Sequence, residues 1–212
     1  MRNHKGKRVI TVRKAAAFAV RKAEVGVVDA LSASVPRSNW LQLRNRVALR
    51  LLRDTGVRLG EAANVRLADL DLPGRVLLIP KSKSRKSRDV RFTKALGAEI
   101  EDYLYVRPDC PPAIAEYLFV SAVNDNPING VRGRLTAEGL RQMLTKLCER
   151  ADLPHINPHA IRHMFGNKAL NDGIRLETVS DLMGHHDPGF TKRIYVKLLD
   201  ETVKREYDEH RR

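Results

Sequence analysis

The sequence predicts a mainly α-helical chain with one small three-stranded antiparallel sheet, an α+β class, and three observations carry that expectation. Apolar residues recur at helical spacing over most of the chain. The period changes once, in ADLDL, RVLLIP and RDVRFT, where short segments are separated by turn residues. Capping signatures stand where helices should start and stop: Gly56 after a Leu-rich run, Thr136 before AEGLRQMLTKLCERA, and Asn157-Pro158 before HAIRHMFGNKAL.

Taken in order, residues 1–22 hold eight Lys or Arg and no acid, and are expected to form a basic arm running into a helix, since AAAFAVRKAEVGVVDALSAS is rich in helix formers. Pro36 breaks that helix. Leu41, Val47, Leu51 and Leu52 then mark a second helix, with Trp40 in its core; Gly56 ends it and a third begins near Leu59. Pro73-Gly74 turns the first expected strand into the second, and SKSRKS joins the second to the third. KALGAEIEDYLYV is an amphipathic helix closed by the prolines from Pro108 to Pro112, and EYLFVSAV reads as a short extended segment. After the helices headed by Thr136 and Asn157, the second of them closed by NDG, RLETVSDLM makes a further short one. The chain ends in helical sequence through VKLLDETVKREYDEHRR. There is no internal repeat.

With 42% hydrophobic residues the 212-residue chain has enough apolar content for a core, which excludes wholesale disorder. No apolar run is long enough for a membrane span, and MRNHKGKRVITVRK lacks the apolar stretch of a secretory signal. Cys110 and Cys148 make no disulfide framework, so a reducing, cytoplasmic setting is expected. The net charge of +14 points to a polyanionic partner, with nucleic acid first among them. Between Lys81 and Arg91 lie six Lys or Arg and one Asp, a cationic loop shaped to reach a DNA groove.

His155, His159 and His163 are spaced four apart, a spacing that on one continuous helix suits a metal. Pro158 starts the helix after His155, no HExxH is present and no Cys joins them, so a zinc site is not expected. His159 and Arg162, at i and i+3 in PHAIRH, instead project to one side at a helix N-terminus, where the dipole favours an anion. TGVRLGEA places Arg58 just after a helix-ending glycine. MGHHDPGFTKRIYVKLL places His185 after Gly184 and Tyr195 ten residues on. His163 and His186 are read as structural neighbours of the motif histidines, and His155 as a loop residue.

The order Arg58, Lys, His159-x-x-Arg162, His185, Tyr195 resembles the catalytic domain of the tyrosine recombinase (phage integrase) family over about residues 23–200. The resemblance implies that family's catalytic-domain fold and DNA strand exchange through a covalent 3′-phosphotyrosyl intermediate, with no metal or nucleotide cofactor. It puts Arg58, Lys83, His159, Arg162 and His185 on the activating positions and Tyr195 on the nucleophile, with Glu61 at an acidic position that supports local structure. Lys81, two residues from Lys83, is the alternative for the lysine. It further implies double-stranded recombination sites as partner, a homotetramer on DNA, and a nucleoid-associated protein of bacterial or phage origin. Lys81, Arg85, Lys86 and Arg88 on the hairpin, with Lys5, Lys7 and Arg8 on the arm, are the expected DNA contacts. Relatives carry a separate helical DNA-binding domain before the catalytic one; here residues 23–212 are expected to be catalytic domain and tail, preceded by the arm alone.

The chemistry of the residues agrees. Attack on a phosphodiester adds charge to oxygens that are already anionic, and two planar guanidiniums can each hold two of them. Tyrosine, with a pKa of about 10, needs a base, and the leaving 5′ oxygen needs a proton. A type IB topoisomerase-like strand transferase uses a similar set; a non-catalytic DNA-binding regulator is the rival from another class.

Overall fold

A computed structural model describes residues 26–81, 87–126, 128 and 130–184. Within them the chain runs from a helical stretch over residues 26–34 into α1 (Trp40–Thr55), the helix around which the rest is packed. Asn39 caps α1 by accepting from the Gln42 N–H at 3.0 Å, and Gly56 ends it in the left-handed conformation, its N–H donating to Leu52 O. Leu41, Leu43, Val47, Ala48, Leu49, Leu51 and Leu52 are all buried, so α1 is apolar on more than one side and takes neighbours on each.

The short α2 (Leu59–Ala63) follows, then β1 (Leu70–Asp71), β2 (Val76–Ile79) and β3 (Arg88–Arg91). These three make the expected antiparallel sheet in sequence order, with Leu77 opposite both Leu70 and Val90. Leu77, Ile79, Val90 and Phe92 are buried while Asp89 and Arg91 are exposed, the period-2 alternation of a sheet with one wet face. α3 (Lys94–Val106), capped by Thr93, coincides with KALGAEIEDYLYV and lies on α1. One turn, α4 (Pro112–Ala115), leads to β4 (Val120–Ala122). β4 pairs antiparallel with β5 (Val131–Arg134), a second, two-stranded sheet beyond the single sheet expected. α5 (Ala137–Arg150), capped by Thr136, α6 (Pro158–Asn171), capped by Asn157 with Pro158 at its first position, and α7 (Leu176–Met183) complete the described chain.

One polar staple holds the N-terminal part together. Glu99 on α3, 4% exposed, accepts on Oε1 from Arg37 (2.7 Å), Arg46 (2.9 Å) and Arg50 (2.8 Å). Arg46 also donates to Ser32 O at 2.7 Å, tying the end of the 26–34 helix to α1. Trp40 is buried under the Arg44 guanidinium, which lies 5.9 Å from its ring centroid.

Candidate active site

The αL turn at Gly56 sends the chain sharply from α1 into α2 and sets Arg58 at the N-cap of α2. Glu61, the third residue of α2, reaches back and accepts from the Arg58 backbone N–H at 2.8 Å, half of a capping box. The same carboxylate accepts from Arg58 Nη1 at 3.1 Å. Arg162, one turn after His159 on α6 and 7% exposed, donates through Nη1 to Gly56 O at 2.5 Å and through Nη2 to Met183 O. Arg58 Nη2 donates to Gly184 O at 2.9 Å. The two arginines, 104 positions apart, therefore meet at one place, the C-terminus of α7.

Arg88 meets them there. It was expected as a DNA contact, and the structure turns it inward: its side chain is 10% exposed, pairs with Glu61 through Nη1 (3.1 Å) and Nη2 (2.6 Å), and donates from Nε to Leu182 O at 2.8 Å. The reason is strand geometry. Arg88 shares its sheet face with the buried Val90, two residues on, so it cannot face solvent while Val90 faces the core. That alternation was readable in RDVRFT and is the signal by which the inward placement could have been found.

The end of α7 is thus fully accounted for. Gly184, in the left-handed conformation (φ 61°), donates its N–H to Asp181 O and Ser180 O, while Leu182, Met183 and Gly184 carbonyls each accept from a different arginine. Three cations at the negative end of a helix are also favoured by its dipole. Glu61 carries the matching anion. Burial pushes its carboxyl up, but the Arg88 hydrogen bonds, the Arg58 N–H and the two guanidinium charges outweigh burial and hold its pKa down at about 2.

His159 is exposed in the first turn of α6, its backbone N–H donating to Asn157 Oδ1 at 2.9 Å, and the helix puts it on the side of Arg162. His163 is half-buried on α6, and His155, in the loop before α6, has Nε2 3.1 Å from Thr145 Oγ1. Lys81 is exposed just past β2 and lines a 420 Å³ cleft together with Arg58, Glu61, Asn64, Leu78 and Arg88. Lys83, Arg85 and Lys86 of the hairpin, His185, His186 and Tyr195 after α7, the arm with Lys5, Lys7 and Arg8, and the tail lie outside the described residues. Among the described residues no three His, Cys, Asp or Glu side chains converge as metal ligands, and no helix is long and apolar enough to cross a membrane.

Two guanidiniums fixed around one helix end, with a histidine at a nearby helix N-terminus, define a site for an anionic group, set in a mainly helical domain with a small antiparallel sheet. The chain belongs to the phage integrase family, whose model matches residues 25–202. Among curated proteins it is 34% identical over 183 residues to tyrosine recombinase XerC of Staphylococcus carnosus (85% of this chain, 58% of that protein). It is 36% identical over 171 residues to XerC of Listeria welshimeri (80% and 55%). The chain therefore spans a little over half the length of the curated relatives it matches. Among solved structures, XerA recombinase superposes with a TM-score of 0.68 at 26% identity, covering 90% of this chain and 64% of that one. XerH site-specific recombinase bound to its difH substrate shares the fold, with a TM-score of 0.62 at 22% identity over 86% of this chain and 50% of that one.

Proposed function

We propose that this chain is the catalytic domain of a site-specific DNA recombinase that cleaves and rejoins duplex strands through a covalent 3′-phosphotyrosine. The observation that carries the reading is the convergence of Arg58 and Arg162 on the Met183–Gly184 helix end, directly before His185 in sequence. The family match and the XerC relatives favour recombination over a topoisomerase or an inactive regulator. In this reading Tyr195 Oη attacks the phosphorus and the bond to the 5′ oxygen breaks. His159 takes the phenolic proton, and Lys83, or Lys81 beside it, protonates the leaving oxygen. Arg58, Arg162 and His185 bear the charge that accumulates on the non-bridging oxygens. The phosphoester energy is kept in the tyrosyl adduct, so rejoining by the 5′ hydroxyl needs no nucleotide, and fixed guanidiniums supply the charge a metal supplies elsewhere.

Residues 1–22 act as a phosphate-binding arm with Lys5, Lys7 and Arg8, and Arg85 and Lys86 touch the backbone from the hairpin. The protein works as a tetramer on DNA in the nucleoid-containing compartment, its tail packing on a neighbouring protomer. The decisive experiment is incubation with nicked suicide duplexes made from the termini of the encoding genetic element, followed by denaturing gels. Wild type should accumulate a covalent protein–DNA band that Tyr195→Phe lacks while binding the duplex as tightly. A Phe variant that still forms the adduct would remove Tyr195 from its role.

A further inference from the structure

Glu61 and Arg88 join two parts of the molecule that the proposed chemistry must keep in register. Arg88 opens β3, the strand on the far side of the lysine-bearing loop from β2. Its guanidinium fork grips both oxygens of Glu61, at 3.1 and 2.6 Å, while its Nε holds Leu182 O at 2.8 Å. Glu61 in turn holds the backbone N–H and side chain of Arg58. One side chain, 10% exposed, therefore links the hairpin, the Arg58 turn and the end of α7 that precedes His185. Gly184 closes the arrangement: a Cβ there would come within 2.9 Å of Arg88 Nη1 and 3.0 Å of its Cζ, so guanidinium and turn are fitted face to face.

We propose that Arg88 is a positioning residue that, through Glu61 and the Leu182 carbonyl, holds β3 and the Gly184 turn at the end of α7 in fixed relation, and makes no contact with DNA. The proposal rests on the recombinase reading for its catalytic consequence but not for its structural one. Geometry rather than charge is what Arg88 supplies: a carboxylate gripped by two parallel N–H donors and a carbonyl by a third require a planar fork. Lysine in its place keeps the charge and makes a single point contact.

The test uses the whole chain as wild type, Arg88→Lys and Arg88→Gln, with two measurements. Hydrogen exchange followed by mass spectrometry compares a peptide over residues 176–184 with one over 40–55 in α1. Both variants should exchange about tenfold faster or more at the α7 end while α1 stays unchanged. Single-turnover adduct formation at saturating suicide duplex should fall by about 100-fold in both variants, with duplex affinity and its salt dependence within about twofold of wild type. Unchanged exchange at 176–184, or equal acceleration in α1, overturns the proposal. So does restoration of the rate by lysine, or a salt slope reduced by about one, the mark of a lost phosphate contact. If wild type itself forms no adduct, the recombinase reading fails, and the exchange measurement still decides whether Arg88 holds the turn.

Discussion

Glu61 shows how much a single carboxylate can organise when it accepts from two guanidiniums and a helix-capping N–H. Its folded pKa, at about 2, lies below the 4.5 of a free glutamate, so the carboxylate form is favoured by folding. A depressed folded pKa contributes stability above the unfolded value, and the contribution disappears as pH falls from about 4.5 through about 2. At 1.36 kcal/mol per pH unit this amounts to about 3 kcal/mol at most, and solvent screening of a side chain 15% exposed lowers it further. Urea unfolding of wild type and Glu61→Gln should therefore differ by up to that amount near neutral pH, with the gap closing between pH 4.5 and 2. A gap independent of pH in that window would mean that the glutamine variant loses shape or packing rather than a charge. The pairing of Arg88 with Glu61 is also where the sequence was least legible, although Glu61 itself was expected to support local structure. The motif residues Arg58, His159 and Arg162 announce themselves by spacing, whereas the Glu61–Arg88 pair spans 27 positions and appears only once strand and helix are packed. Arg88 looked like one more cation in a basic hairpin because charge composition carries no direction; the buried Val90 beside it does.

The elements repeat that lesson in another form. Those read from a chemical start signal stand where expected: Thr136 and Asn157 each accept from a backbone N–H at the head of a helix, and the structure adds Asn39 and Thr93 in the same role. β5 carries no such signal, because VRGR offers two arginines and a glycine in place of the β-branched and aromatic residues that mark a strand, and its pairing with β4 comes from across a loop. Gly56 is the element boundary on which the site depends most. Its φ of 63° lies in the left-handed region that favours glycine, and a Cβ there would run into the Phe165 ring on α6. Its carbonyl is also the Arg162 acceptor. Gly56→Ala combines about 1 kcal/mol of backbone strain with about 1–3 kcal/mol of overpacking, a loss of about 2–4 kcal/mol in urea unfolding. Gly60→Ala, where a Cβ meets nothing within 4 Å, is the matched control and should change stability by less than about 1 kcal/mol. Equal losses at the two glycines would show that the close approach of α6 to the α1 turn does not exist in solution.

At the scale of the whole molecule the governing quantity is charge: +14 over 212 residues, eight of the cations in the first 22 positions with no acid among them. Arg88 is turned inward onto Glu61, so in the proposed reading one fewer hairpin cation is offered to DNA and the arm is expected to carry a larger share of the phosphate contact. Binding that neutralises phosphates releases condensed counterions, and the log of the binding constant then falls with the log of salt concentration by about 0.9 per contact. Deleting residues 1–22 takes the net charge from +14 to +6, because eight positive charges and no negative ones are lost. Fluorescence anisotropy titrations of a labelled duplex at several salt concentrations should show a shallower slope for the truncated chain, by roughly one for every arm residue that touches a phosphate, and weaker binding at every salt concentration. Arg58, Glu61, Arg88 and Arg162 bond to one another and to the turns at Gly56 and Gly184, within the folded domain. Adduct formation from DNA already bound should accordingly proceed at the full-length rate once the duplex is saturating. Parallel salt slopes with and without the arm would assign the phosphate contacts to the folded domain alone, and a slower bound-state rate would make the arm part of the catalytic assembly.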